Sequence, residues 1–154
     1  MRFVCNKDNL ESAISIVQKA VKTNSTLPIL DGIHIQAEGQ SVKLTGYDLE
    51  TGIEADVASD VSDNGAVVVI SRIFGEIIKN LPENTVEIKS DDRNFISIVS
   101  GSASYNIKGN NANEYPKIPI IENSSKVILS QAILKKMITK TIFAVSKDDT
   151  RQSL

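Results

Sequence analysis

The chain has 154 residues, 41% of them hydrophobic and 23% charged, with 17 Lys+Arg against 19 Asp+Glu and a formal net charge of −2. That is apolar material for one ordinary domain and part of a second; it excludes wholesale disorder and gives no support to a histone-like basic binder or an acidic tail. The sequence holds no run of about 18 apolar residues that would form a transmembrane helix, and MRFVCNKDNL has no apolar signal core, so the cytosol is the expected compartment.

The first strand, Arg2-Phe-Val-Cys, contains the single cysteine, Cys5, which reads as a small buried hydrophobe. A helix follows, with Leu10, Ala13, Ile14, Val17, Ala20 and Val21 at helical spacing and Asp8 or Asn9 as its cap. GIHIQAEG and SVKLTGYD alternate like strands, with Gly39-Gln40 as the hairpin turn between them. The single histidine, His34, falls on the outward face of the first of these. In TGIEADVAS the residues Ile53, Ala55 and Val57 share a face, and the short apolar run GAVVVI reads as a strand buried on both sides.

The pattern then repeats. After Ser71 a second helix carries Ile73, Phe74, Ile77, Ile78 and Leu81, and Pro82 closes it. TVEIKS, a DDRN turn, FISIVS, a Gly101 turn and ASYNIKG supply three more strands. The expected fold class is therefore α+β, two β-α-β-β-β halves with helices on one face of antiparallel sheet. GNNANEYPKIPIIENS has neither period, so 1–109 is expected as a complete domain and 110–124 as a linker.

Residues 125–154 return to the opening theme. Lys126-Val-Ile-Leu matches Arg2-Phe-Val-Cys, and Leu134, Ile138, Ala144, Val145, Thr150 and Leu154 fall on Leu10, Ile14, Ala20, Val21, Thr26 and Leu30. Leu134, Met137, Ile138, Ile142 and Val145 form a third helical stripe, with Ser130 as its cap. A repeat of this length signals a modular array. A strand and helix bury no core of their own, so 125–154 is expected to be the truncated start of a second domain.

Charge divides unevenly. Residues 125–154 hold six basic and two acidic groups, leaving eleven and seventeen in the first 124, a net of −6. Lys136 and Lys140 lie opposite the apolar stripe of their helix, as Lys19 does on the first helix, with Lys22 and Lys147 near the respective ends. Acidic groups concentrate on strands and loops. The arrangement suits weakly basic helix faces meeting a polyanion through phosphates, without base readout. One Cys and one His leave no intrachain disulfide, no thiolate zinc cluster and no His-rich metal site, and no cofactor is expected. No phosphate-binding glycine loop, GxSxG or HExxH occurs. Asp48 and Glu50 of GYDLETG could serve acid–base chemistry, although turn capping beside Gly46 and Gly52 is the plainer account.

The segments TLPILDGIHIQ, LTGYDLETGIE, SRIFGEIIKNLP and AVSKDDTRQSL, in order and at nearly constant spacing, resemble the bacterial replicative sliding clamp family, the beta subunit of DNA polymerase III. The resemblance implies three similar domains per subunit and two subunits closing head to tail into a ring, a homodimer with helices lining the hole. It implies a non-catalytic processivity factor that encircles double-stranded DNA without sequence specificity. Its partners would be the DNA polymerase III alpha and clamp-loader subunits, with no membrane. The family's DNA-contacting positions carry over to Asn24, Arg72, Asp148, Gln152 and Ser153, beside the lysines 19, 22, 136, 140 and 147. Arg151 and Leu154 match the near edge of the family's cleft for partner peptides. Ile73, Ile77 and the strand 102–108 match its subunit contact. Alone, the 154 residues are expected to be monomeric. Two alternatives stand beside this: a small α+β enzyme using Asp48 and Glu50, and a scaffold that binds peptides through an exposed sheet edge.

Overall fold

The computed structural model describes residues 1–22, 27–119 and 128–145, in two compact units, Met1–Pro119 and Ile120–Leu154. The first unit runs β1 (Arg2–Asn6), α1 (Lys7–Val17), β2 (Gly32–Glu38), β3 (Ser41–Tyr47), β4 (Gly52–Asp63), β5 (Gly65–Ile70), α2 (Ser71–Lys79), β6 (Thr85–Ser90), β7 (Phe95–Ser100) and β8 (Ala103–Lys108). The expected β-α-β-β-β order is present twice.

All strand pairs are antiparallel, in the order β5-β2-β3-β4-β1-β6-β7-β8. Each half contributes its first strand to the other half's sheet: β5 lies beside β2, and β1 beside β6. The long strand β4 joins the two sheets, pairing with β3 from Gly52 to Ala58 and with β1 from Ser59 onward. On the opposite side the chain leaving β8 returns to β5, where Asn110 and Val68 exchange backbone hydrogen bonds of 2.8 and 3.1 Å. Gly109 makes that return possible. A Cβ there would sit 2.8 Å from Ile96, from Val67 and from the Val68 carbonyl.

Alternation decides what is buried. Ile33, Ile35, Val42, Leu44, Val86, Ile88, Ile96 and Ile98 point to one core, which Leu10, Ile14, Val17, Phe74 and Ile78 cover from the helices. Burial of this much aliphatic surface is the main force holding the unit together. The end of α1 lies directly on β3, where a Cβ on Gly46 would meet the Val17 carbonyl oxygen at 2.2 Å. α1 also begins earlier than the expected caps. Asn6 Oδ1 accepts from the Asn9 N–H at 3.1 Å, so Asn6 is the cap and Asp8 sits in the first turn, where its charge suits the helix N-terminus.

GAVVVI is buried on both faces, as its composition implies. Val67 and Val69 enter the main core, while Val68 packs on the far side with Leu30, Tyr47 and Tyr115. Part of that second cover comes from the stretch expected to be linker. Residues 110–119 pack back on the sheet, and the buried Tyr115 hydroxyl donates to the carbonyls of Gly32 and Thr45 at 3.4 and 3.5 Å. Burial pushes the Tyr115 phenol up to about 12. In the second unit α3 (Gln131–Thr141) is capped by Ser130, whose Oγ accepts from the Ile133 N–H at 3.3 Å.

Candidate nucleic-acid interface

α1 and α2 share the helical face of the first unit and are tied by Gln18, whose Nε2 donates to the Ser71 carbonyl at 3.0 Å. The groove between them is lined by Glu11, Ser15, Gln18, Arg72, Glu76 and Lys79 among others. Arg72, Glu76 and Lys79 fall on one stripe at i, i+4 and i+7, all exposed. Lys19 is exposed in the turn Gln18–Ala20 that follows α1. On α3 of the second unit Lys136 and Lys140 are exposed, and that helix holds no acidic residue.

Lys22 is exposed but engaged. Its ammonium lies 3.1 Å from Asp48 Oδ2 and 3.2 Å from Glu50 Oε2, and these carboxylates hold it above the ordinary lysine range. The helical face of the first unit thus sets Lys19, Lys22, Arg72 and Lys79 against Asp8, Glu11 and Glu76, with Lys22 already paired. It is closer to balanced than the expected weakly basic surface. Lys79 escaped the sequence reading, although its place seven residues after Arg72 was a visible signal. Asn24, Lys147, Asp148, Arg151, Gln152, Ser153 and Leu154 lie outside the described residues.

The outward face of the sheet is acidic along β4, where Glu54, Asp56 and Asp60 are exposed. Lys43 pairs with Glu54 at 3.4 Å, and Arg2 with Glu87 at 2.6 Å. β8 is a sheet edge with its middle exposed. Beside it Phe95 is 51% exposed, with the Lys108 ammonium 4.2 Å from its ring centroid. Ile73 is 40% exposed and off the buried stripe of α2, which is formed by Ser71, Phe74 and Ile78; Ile77 is half-buried.

The other candidate groups are structural. Asp48 Oδ1 accepts from the Thr51 and Glu50 N–H groups at 2.6 and 3.0 Å. These bonds, with Lys22, hold its carboxyl below the usual range. A carboxylate so occupied is a turn cap and a poor general base, so the acid–base reading of Asp48 and Glu50 fails on geometry. His34 is half-buried, 5.5 Å from the Tyr115 ring, and burial pushes its imidazole pKa down. Cys5 is buried, its thiol pushed up to about 11 by desolvation. Among the described residues no helix is long and apolar enough to cross a membrane.

The model of the DNA polymerase III beta subunit, N-terminal domain, matches residues 1–119. The chain belongs to the DNA polymerase III beta subunit family. It is 38% identical over 162 aligned positions to the beta sliding clamp of Halalkalibacterium halodurans, covering 100% of this chain and 43% of that protein. The same figures hold for the beta sliding clamp of Bacillus subtilis. The crystal structure of the DNA polymerase sliding clamp from Bacillus subtilis superposes with a TM-score of 0.91 at 37% identity, over 98% of this chain and 42% of that one. The chain therefore spans about 43% of the length of the curated relatives it matches. The α+β architecture read from sequence is the clamp fold, and the family to which the chain belongs is a non-catalytic subunit of DNA polymerase III.

Proposed function

We propose that this chain is the first domain, and the opening of the second, of a cytoplasmic ring that encircles double-stranded DNA and tethers DNA polymerase III. The observation that carries the reading is the family match over 1–119 together with a fold that puts helices on one face and an acidic sheet on the other. Topology does the work. A closed ring needs no tight grip, so a helical face with few free cations is an advantage: every phosphate neutralised deepens the salt-dependent well in which the ring would stall.

In this reading Lys19, Arg72, Lys136 and Lys140, with Lys22 and the residues Asn24, Lys147, Asp148, Gln152 and Ser153, face the duplex. Lysine suits a sliding contact better than the bidentate arginine fork. The β8 edge with Ile73 and Ile77 forms one side of a head-to-tail subunit contact: an exposed edge strand offers unpaired backbone groups to a partner strand. Arg151 and Leu154 begin the cleft for polymerase and clamp-loader peptides. The test is retention on DNA. A subunit carrying this chain, loaded on nicked circular duplex, should co-elute with the circle and be lost when the circle is linearised. Equal retention on both forms would contradict encirclement.

A further inference from the structure

The turn after β3 holds Leu49 at φ 76°, a left-handed conformation that a leucine keeps only where its surroundings impose it. Asp48 imposes it, through the two N–H groups bound by Oδ1 and through its own N–H, which donates to the Thr51 carbonyl at 3.2 Å. The same turn presents Asp48 Oδ2 and Glu50 Oε2 to the Lys22 ammonium. The side chain of Asp48 is 7% exposed, against 64% for Lys22 and 80% for Glu50. One carboxylate is therefore held by the turn and the other is exposed, and two anions face one cation. The patch around this lysine is net negative.

We propose that Asp48 and Glu50 compete with duplex phosphates for Lys22, so that the end of the first helix meets DNA with its cation already engaged. This rests on the reading that the helical face meets a duplex. The Lys22–Glu50 pair is exposed on both sides, and such pairs are weak and exchange freely, so Glu50 yields to a phosphate and reclaims the lysine when it passes. The competition shallows the well that would hold a ring over each phosphate. Position in the turn, and not net charge alone, makes these carboxylates effective.

The test is a titration of the 154-residue chain with a short duplex at low salt, followed by NMR of lysine ammonium and backbone amide signals. Glu50→Gln, on a side chain 80% exposed, should tighten duplex binding by about two- to fivefold, the worth of one exposed ion pair. It should also steepen the salt dependence by up to about 0.9 in logarithmic slope, as for one more phosphate neutralised. Asp48→Asn keeps the oxygen that caps the turn and should act in the same direction. The gain should vanish in the Lys22→Gln/Glu50→Gln double variant. Glu54→Gln, which removes the same charge from the outward sheet face, should give less than Glu50→Gln. A gain that survives the double variant, an equal gain from Glu54→Gln, or no gain at all overturns the proposal while Arg72 and Lys19 still respond to duplex. If no signal on the helical face moves in any variant, the duplex reading falls as well.

Discussion

At the scale of single residues, His34 separates the roles a lone histidine can take. Its ring stands on the far face of the sheet against Tyr115, half-buried, where desolvation disfavours the charged form and Glu54 only partly offsets this. A folded-state pKa below the ordinary 6.5 means that the unfolded chain binds more protons just below neutrality. Stability from this group is present above that value and lost as pH falls through the folded pKa. Replacing His34 by Gln should therefore flatten the decline in urea midpoint between neutral and mildly acidic pH. An unchanged pH slope in the variant would contradict the assignment. The alternation in GIHIQ correctly put His34 outside the main core. It could not reveal Tyr115, because a residue covering the second face of a sheet from a non-periodic segment leaves no pattern in the sequence.

At the scale of elements, the periodic segments were legible and the junctions were not. FISIVS and SVKLTGY alternate because one face meets the core, and the stripe from Leu10 to Val17 is set by the same core. The cap of α1 moves back to Asn6 because that last residue of β1 still pairs with Thr85 of β6, so strand passes into helix without a loop and the last strand residue does the capping. Lys22 read as a free cation because its partners come from a distant turn, brought near by the β3–β4 hairpin. The docking of α1 gives the sharpest test at this scale. Gly46→Ala would force its new methyl group against the Val17 carbonyl oxygen, and backbone at both ends of the contact leaves little room to yield. Overpacking of this kind costs about 1–3 kcal/mol. With backbone on both sides the loss should lie at or above the upper end of that range in chemical denaturation, whereas Gly39→Ala, whose Cβ meets nothing within 4 Å, should lose only the roughly 1–2 kcal/mol of a left-handed alanine. Equal losses at the two sites would remove the close approach as the cause.

At the scale of the whole molecule, the exchanged first strands make the two halves interdependent. β1 is covalently part of the first half yet hydrogen-bonded to β6, and β5 belongs to the second half yet lies beside β2. Neither half can leave without stripping a strand from its neighbour, and both helices cover one continuous core. Residues 1–119 should accordingly unfold in a single transition. Leu44→Ala in the first half and Ile98→Ala in the second, both fully buried, should each cost about 2–5 kcal/mol. Each should also shift the protection of slowly exchanging amides in β2, β3, β6 and β7 together. Amide exchange followed strand by strand distinguishes this from independent halves: Leu44→Ala would then loosen β2 and β3 and leave β7 untouched. Such uncoupling would also bear on function. In the proposed function a ring segment must let a duplex pass without following its contour, which needs a helical face held at fixed spacing; the shared sheet supplies that rigidity, and the Gln18–Ser71 hydrogen bond ties the two helices side chain to backbone.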